Sequence, residues 1–211
     1  MTGRVALITG ASQEIGAGLV AGYRGRGWSV AATPGRIGGP PDPEVLTVEG
    51  DLADPATADR IVGGALERFA RIDTLISNVG VVIAKPFTEY SAADCAAVVE
   101  VGLAGFCWMT QRAIGEMAVR YGGHVVTVMV SASLAEAPDS GTHGVLAAVA
   151  KGGLAAATRS LAVEYAGLGI RVNAVSGCGI AQVSDLVAGV LFLESSPYIT
   201  GEILHIDGGR S

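Results

Sequence analysis

Hydrophobic and polar positions along the chain alternate between short apolar runs and longer amphipathic stretches. The short runs are bounded by turn residues and predict buried strands, whereas apolar residues at helical spacing predict helices between them. The predicted strands are Val5–Thr9, Trp28–Ala32, Val45–Val48, Thr74–Ser77, Val125–Val130, Val172–Val175 and Ile203–Ile206. The predicted helices are Ile15–Gly25, Pro55–Phe69, Ser91–Tyr121 (with a potential break near Gly102–Gly105), Gly144–Tyr165 and Ser184–Leu193.

This alternation predicts an α/β fold in which one Rossmann-type, doubly wound parallel sheet spans residues 1–211. No repeat, linker or low-complexity segment divides the chain, so a single domain is expected. One connection departs from the usual pattern, because Pro34–Pro43 contains prolines and glycines that forbid a helix. The second crossover helix is therefore predicted to be shortened to a loop.

The composition narrows the class of protein. Half of the residues are hydrophobic, only 16% are charged, and the mean hydropathy is +0.47. These values are high for a soluble monomer and predict that some apolar surface is buried against another subunit. The net charge of −6 and the lack of Lys or Arg runs argue against nucleic-acid binding. The apolar runs are short and interrupted by glycine or charge, so no membrane span is predicted.

Cysteine and histidine usage gives further expectations. Cys95, Cys107 and Cys178 form no CxxC motif and predict reduced core thiols in a cytoplasmic protein. His124 and His205 lie beside strands and are predicted to be structural. No group of His, Cys, Asp and Glu has metal-ligand spacing, so no metal is predicted. Residues 1–8 are too short for the apolar part of a signal peptide and fit a first strand.

A glycine-rich segment joins the first predicted strand to the first predicted helix. Such a turn allows backbone N–H groups and the helix dipole to approach a pyrophosphate. The motif alone is weak, but its position directly after a short N-terminal strand strengthens it. The candidate cofactor-binding residues in this segment are Thr9, Gly10, Ser12, Ile15 and Gly16.

Further motifs follow this loop in the order found in one family. Thr9, Gly10 and Gly16 match a TGxxxGxG loop, and matching segments occur at Asp51-Leu52, Ser77–Gly80, Thr158–Glu164, Arg171–Val175, Tyr198–Gly201 and Asp207–Gly209. With these motifs the chain resembles the short-chain dehydrogenase/reductase family over nearly its whole length. The resemblance implies a Rossmann fold and NAD or NADP as cofactor. It places Asp51 and Leu52 at the adenine, Asn78 and Gly80 in the fourth-strand motif, and Lys151 at the nicotinamide ribose.

The sequence also departs from the family pattern on the cofactor side. Glu14 stands at the middle glycine of the loop. Its carboxylate would either meet a diphosphate with like charge, which would weaken or abolish binding, or act as an early-helix acid favoured by the dipole. Arg36 follows the second strand and would either meet the 2′-phosphate of NADP or, as we favour, lie in a solvated loop.

The departures are larger on the catalytic side. The family uses Asn, Ser, Tyr and Lys, with the tyrosine as general acid/base. Here the Tyr-x-x-x-Lys turn has Ala147 before Lys151, and the Asn position is Gly102. The serine position aligns most simply with Val130, although Ser131 and Ser133 are adjacent. The family's substrate lid is also shortened, because Ser176–Ile180 leads almost at once into the helix at Ser184. A methyl group cannot transfer a proton, so orthodox hydride transfer is predicted to be absent or strongly impaired.

Other residues could replace the missing groups. His143 precedes the helix that carries Lys151 and could pair with Ser131 or Ser133, although a solvent-exposed loop histidine is the favoured interpretation. Lys151 lies among apolar residues and would be nucleophilic if buried without a partner, but a lysine that reaches solvent or bonds a backbone carbonyl is favoured. The tentative catalytic set is Lys151, Ser131 and His143.

Three functions remain open. The first is a non-catalytic partner, either a homo-oligomer or a hetero-oligomer with a homologous subunit, assembled through the two long helices and the C-terminal strand as family tetramers are. The second is an enzyme repurposed for non-redox chemistry. The third is an unorthodox NAD(P)-dependent oxidoreductase for a small carbonyl or alcohol. The substrate is not predicted by the sequence.

Overall fold

The computed structural model describes residues 3–33, 41–78, 80–81, 83, 85–131, 144–178 and 181–209, with only the backbone described at 131 and 178. Seven strands form one sheet in which every neighbouring pair is parallel, in the order β3-β2-β1-β4-β5-β6-β7. The strands are β1 Val5–Thr9, β2 Ser29–Thr33, β3 Val45–Thr47, β4 Thr74–Ser77, β5 Gly123–Ser131, β6 Ile170–Cys178 and β7 Ile203–Ile206. The predicted doubly wound parallel sheet is confirmed.

Six α-helices connect the strands. They are α1 Glu14–Gly25, α2 Pro55–Phe69, α3 Ala92–Ala97, α4 Gly105–Val119, α5 Val145–Tyr165 and α6 Val183–Glu194. Local sequence sets several of their starts. Asp54 accepts a hydrogen bond from the backbone N–H of Ala56, and Pro55 fills the first turn of α2, where no N–H is needed. Ser91 and Asp94 form a capping box at α3.

The helices cover both faces of the sheet, which explains the nearly uninterrupted apolar strands. Successive residues of β1 alternate between two cores. Leu7 joins the cluster that contains residues of α2 and α4, whereas Ala6 and Ile8 join the cluster under α1 and α6. All three side chains are fully buried, and each large one contributes about 1.5–3 kcal/mol by leaving water. The strand is rigidly held, so the loop that follows it starts from a fixed position.

Several sequence expectations need correction. The break expected near Gly102–Gly105 in the predicted helix Ser91–Tyr121 is present, but it begins earlier, as a π-helical segment over Val98–Ala104 between α3 and α4. Cys95 and Cys107 are exposed, so the prediction that they are core thiols is wrong. The strands β5 and β6 are longer than predicted, because parallel pairing from Gly123 to Ser131 extends beyond the apolar run.

The sequence predicts no segment long and apolar enough to span a membrane, but two helices meet that criterion by length and composition. The helical stretches Ala92–Val119 and Val145–Leu168 are long enough to cross a bilayer, and each contains an 18-residue window with a mean hydropathy of 1.5 or 1.2, respectively. Core helices pass the same test. In the described structure one side of each stretch packs on the sheet, through Met109 and Met117 in α4 and through Leu154 in α5. Only 28% and 22% of the residues in these windows are buried, and exposed apolar residues on the two helices include Trp108, Val119, Val149 and Val163.

Two connections are predicted to be short, the one between β2 and β3 and the one between β6 and α6. The β2–β3 connection falls mainly on residues 34–40, so the predicted loss of the crossover helix lies outside the described residues. Only residues 179–182 separate β6 from α6, which confirms the shortened segment after β6. A connection of this length cannot fold over the edge of the sheet as a long lid.

Candidate functional site

The carboxyl ends of β1 and β4 meet at the point where the strand order reverses. The chain leaves β1 toward β2 on one side of the sheet and leaves β4 toward β5 on the other. In open parallel sheets this divergence opens a crevice that binds ligands. The glycine-rich loop and Asn78 lie at that crevice, directly after β1 and β4.

Backbone packing in the crevice depends on two glycines. Gly10 has a φ of 64°, and a Cβ there would overlap the carbonyl oxygen of Asn78. A Cβ on Gly16 would overlap the carbonyl oxygen of Gly10. The loop is thus pressed against the start of α1, which brings its backbone close to any ligand at that helix end.

Hydrogen bonds join the same loop to the fourth strand. The Asn78 backbone N–H donates to Thr9 Oγ1 at 2.9 Å, and its Nδ2 donates to the carbonyl of Gly10 at 3.3 Å. Thr9 Oγ1 in turn donates to the carbonyl of Ile76 at 3.4 Å. The structure therefore brings Thr9, Gly10, Gly16 and Asn78 together, as the sequence predicted, while their role toward a cofactor stays a prediction.

The first turn of α1 presents polar side chains toward solvent. Ser12 and Glu14 are exposed, and Ile15 is half-buried. Glu14 is the first residue of α1, and the side chain of the preceding Gln13 does not cap the helix. The Glu14 carboxylate is consequently placed at the positive end of the helix dipole, which stabilises it, and it is free to turn toward or away from a diphosphate.

The structure describes part of the region that the sequence predicts to bind the adenosine of the cofactor. Asp51 is exposed and its Oδ1 accepts the backbone N–H of Ala53 at 2.9 Å. Leu52 is buried against Gly105 of α4. At the end of β2, Thr33 Oγ1 is buried without a hydrogen-bond partner among the described residues. Arg36 lies outside the described residues.

These features fit a dinucleotide. Gly10 and Gly16 leave the loop without a Cβ at two positions of close backbone approach, and Gly80 is exposed with open space around its Cβ position. Thr33 offers an unused hydroxyl close to the loop, since Ala11 N–H donates to its carbonyl. Among the described residues Glu14 opposes this fit, because it brings a side chain and a negative charge to the position of the middle glycine.

On the catalytic side, α5 lies against the π-helical segment. A Cβ on Gly153 of α5 would stand 3.5 Å from Leu103 Cδ2. Ala147 and Lys151 are one turn apart on α5, and both are half-buried. Gly102 is buried, yet a Cβ there would meet nothing within 4 Å. The structure thus leaves open space where the family's asparagine side chain would begin.

The other tentative catalytic residues are described only in part. Ser131 is the last residue of β5, where its backbone pairs with Cys178, but its side chain is not described. His143 and Ser133 lie outside the described residues. The proposed acid/base pair of His143 with a serine therefore stays a prediction. Among the residues that the structure describes, no group of three His, Cys, Asp or Glu side chains could hold a metal ion.

A second polar cluster lies at the opposite, amino-terminal edge of the sheet. Glu194, at the end of α6, is 6% exposed. Its Oε2 accepts hydrogen bonds from Tyr23 Oη at 3.0 Å, Thr74 Oγ1 at 2.8 Å and His124 Nδ1 at 3.1 Å. Burial opposes the charge of Glu194, but the hydrogen bonds from His124, Thr74 and Tyr23 outweigh it and lower the pKa of the carboxyl.

The partners of His124 fix its protonation state. Its Nε2 faces Arg171 Nη1 at 3.2 Å and Asn173 Nδ2 at 3.0 Å, and both of these groups can only donate. The Asn173 amide is oriented because its Oδ1 accepts the backbone N–H of Glu202. The imidazole is therefore neutral, with its proton on Nδ1 toward Glu194. Burial lowers the pKa of His124, whereas Glu194 opposes this shift.

His124 is buried in this cluster with partners at both ring nitrogens, as expected for the structural role that the sequence predicts. Arg171 also donates to the carbonyls of Leu193 and Ser196, and so holds the end of α6 against β6. Sequence reasoning missed Glu194 and Tyr23. The available signal was an acidic residue at the end of an otherwise apolar helix. His205, by contrast, is exposed on the edge strand β7.

The sheet order and the glycine loop at its switch point define an α/β protein of the dinucleotide-binding type. The sequence profile of the family described as short chain dehydrogenase matches residues 4–189, and the chain belongs to this family. The resemblance inferred from the motifs is confirmed.

Known relatives and a solved structure agree with this assignment. The chain is 37% identical over 188 residues to a 1,6-dihydroxycyclohexa-2,4-diene-1-carboxylate dehydrogenase of Pseudomonas putida, covering 84% of this chain and 66% of that protein. It is 33% identical over 185 residues to the oxidoreductase UcpA of Salmonella typhimurium, covering 83% and 68%. The chain thus spans about two thirds of the length of both relatives.

A crystal structure of a 3-ketoacyl-(acyl-carrier-protein) reductase from Brucella melitensis, complexed with NADH, superposes with a TM-score of 0.89. Sequence identity is 25%, and the superposition covers 99% of this chain and 98% of that one. The Rossmann fold is therefore shared over the whole chain.

Proposed function

We propose that this chain is a short-chain dehydrogenase/reductase subunit that lacks tyrosine-dependent proton transfer and acts through assembly with a second chain of the same fold. The observation that carries the proposal is Ala147, one helical turn before Lys151 on α5. A bound NAD(P) would supply or accept a hydride, but the alanine methyl cannot exchange the proton that a carbonyl or alcohol requires. The retained loop of Thr9, Gly10 and Asn78 would still hold the dinucleotide.

Two further features support a reduced catalytic role. Gly102 provides no side chain on the segment that faces α5, and residues 179–182 are too few to cover the crevice. An open crevice does not exclude water, which weakens electrostatic stabilisation of a transition state. Each loss affects the same reaction, so together they favour a subunit whose contribution is not hydride transfer.

The exposed faces of α4 and α5 support the assembly part of the proposal. On α4, exposed residues recur at helical spacing, with Trp108, Gly115 and Val119 on one stripe. On α5 the corresponding stripe includes Val149, Gly152, Ala156 and Val163. Val119, Val149 and Val163 are 78%, 63% and 82% exposed, and small residues between them allow close approach of another helix pair. We propose that the occupant is the same pair of helices on a second subunit, either a copy of this chain or a homologue.

Restoring the missing phenol tests the catalytic part. The Ala147→Tyr variant should reduce a small β-ketoester with NADH or NADPH at least about 100-fold faster than the parent chain, because a positioned general acid contributes 10²–10⁴-fold. Absorbance at 340 nm follows the reaction, and Ala147→Phe, which adds the ring without the hydroxyl, is the matched control. Equal rates for the parent and Ala147→Tyr would contradict the proposal.

A negative charge introduced on the exposed face of α5 tests the assembly part of the proposal. Light scattering after size-exclusion chromatography should give an oligomer for the parent chain and a smaller species for Ala156→Asp. Ala21→Asp, at an exposed alanine of α1 on the other face of the sheet, should leave the mass unchanged. A parent chain that is monomeric alone and with a co-expressed homologue would refute it.

The second candidate is an unorthodox NAD(P)-dependent oxidoreductase, favoured by the intact contacts between Asn78 and the glycine loop. Isothermal titration with NADH and NADPH shows whether the chain binds a dinucleotide, which the oxidoreductase candidate requires. Micromolar binding, together with reduction of a carbonyl by the parent chain, would support this candidate. A Lys151→Ala variant with unchanged turnover would then rule out the lysine as its catalytic group.

A further inference from the structure

A cavity of about 530 Å³ opens at the amino-terminal edge of the sheet, opposite the glycine loop. It lies between the starts of β1, β4, β5 and β6 and the end of α6. Its volume is in the range of pockets that hold small organic ligands. The proposed function does not use this cavity, so the inference below does not rest on it. Two of the family-like segments, Arg171–Val175 and Tyr198–Gly201, contribute Arg171, Tyr198 and Thr200 to its lining.

The charged groups of this cavity do not balance. Three guanidinium groups line it, on Arg4, Arg71 and Arg171, but only two carboxylates do, on Asp73 and Glu194. Both carboxylates are already engaged. Asp73 accepts two hydrogen bonds from Arg71, at 2.9 and 2.5 Å. Glu194 accepts from three buried donors and lies 3.9 Å from Arg171. The exposed Arg4 therefore has no carboxylate partner among the groups that line the cavity.

Arg4 has no carboxylate within salt-bridge distance in the described part of the chain, although the protein carries a net charge of −6. Its guanidinium lies over the ring of Trp28, 5.4 Å from the ring centroid. This stacking limits the rotation of the side chain and leaves the N–H donors at the edges of the guanidinium plane available. Arg4 also opposes the charge of Arg171, which burial already disfavours. A bound anion would relieve that repulsion.

The surroundings favour a monoanion with an apolar body over a multiply charged anion. The helix ends at this edge are carboxyl ends, since α5 ends at Tyr165 and α6 ends at Glu194, and their dipoles oppose concentrated negative charge. At the rim, Pro197 and Tyr198 provide apolar surface. The ring of Tyr198 is 99% exposed and would be covered by a ligand that contacts it.

We propose that this cavity binds a small aromatic monocarboxylate, with the carboxylate on the Arg4 guanidinium and the ring against Tyr198. A guanidinium can donate two parallel hydrogen bonds to a carboxylate, which gives both orientation and affinity. The apolar ring of the ligand replaces water at the exposed tyrosine. The site is thus a second ligand site, separated by the length of the strands from the dinucleotide crevice at their carboxyl ends.

Ligand-observed ¹⁹F NMR with 4-fluorobenzoate tests the proposal on the full chain. Saturable binding is expected for the parent protein, weakened at least about tenfold in Arg4→Gln because a charge-assisted pair is lost. Arg4→Lys keeps the positive charge but cannot donate two parallel hydrogen bonds, so its affinity should lie between those of the parent and Arg4→Gln. Arg112→Gln removes the same charge from α4, where it pairs with Asp59 outside the cavity, and should bind as the parent does.

Three results would overturn the proposal. The first is no saturable binding to the parent chain, and the second is equal binding to the parent and to Arg4→Lys and Arg4→Gln variants with parent-like circular dichroism. The third is displacement of the probe by inorganic phosphate at equal concentration, which would indicate a general anion site. Weaker binding by Tyr198→Ala, at unchanged melting temperature, would support the contact with the ring.

Discussion

Removing the Glu194 carboxylate should destabilise the fold more than any ordinary surface substitution. In Glu194→Ala, the donors of Tyr23, Thr74 and His124 lose their shared acceptor in a buried site. Each buried donor left without a partner costs about 1–3 kcal/mol. Some of this cost is recovered by water entering from the adjoining cavity, so we expect a loss of about 4 kcal/mol in the free energy of unfolding. That is a large share of the roughly 5–15 kcal/mol typical of a domain.

Urea unfolding followed by circular dichroism at pH 8 measures this loss. With an m-value of about 2 kcal/mol/M, the midpoint should fall by about 2 M. Glu67→Ala is the matched control, because Glu67 is exposed on α2 and its side chain forms no hydrogen bond or ion pair among the described residues. Its effect should stay within about 0.5 kcal/mol. A loss below about 1.5 kcal/mol for Glu194→Ala would refute the energetic role assigned to the cluster.

The same cluster should make stability depend on pH on both sides of neutrality. The pKa of His124 is lowered from 6.5 by burial, so the unfolded chain binds a proton first as pH falls below 6.5, and stability decreases there. Glu194, with its pKa lowered from 4.5, gives stability that is lost as pH falls further. Burial raises the pKa of Tyr23 above 10.0, so stability also decreases above pH 10. His124→Asn should flatten the decrease between pH 7.5 and pH 5.5 (about one unit on either side of the usual histidine pKa), and an unchanged slope would contradict the assignment.

Three more predictions concern the crevice. Gly10→Ala should lower stability by more than about 2 kcal/mol, because φ is 64° and the added Cβ meets backbone, whereas Gly63→Ala on α2 should be neutral or stabilising in the same melting assay. Gly102→Asn should change stability by less than about 1 kcal/mol, since a Cβ there meets open space, and a larger loss would show that the segment is closed. Glu14→Gln and Glu14→Gly should both tighten NADH binding by about fivefold in isothermal titration, because the like charge is removed, and an unchanged affinity of Glu14→Gln would exclude repulsion.

Much of this architecture is determined by local pattern. Apolar runs such as Val5–Thr9 and Thr74–Ser77 gave strands at the predicted bounds, because a strand buried on both faces needs an unbroken apolar sequence. Gly10 and Gly16 predicted the loop at β1, because only glycine tolerates the positive φ and the close backbone approach found there. The sequence alone also shows that position 147 is an alanine, and folding cannot give its side chain a hydroxyl group.

Other features depend on contacts between distant segments. Glu194 meets Thr74 across 120 positions and Tyr23 across 171, so no local pattern could show that its carboxylate is buried and satisfied. The unpaired state of Arg4 likewise follows from which carboxylates other arginines occupy. The sequence by itself therefore determined the layers, the loop chemistry and the missing phenol, since these depend on neighbouring residues. Tertiary structure alone decided which charges are buried, paired or left over, because burial and pairing are properties of packed surfaces.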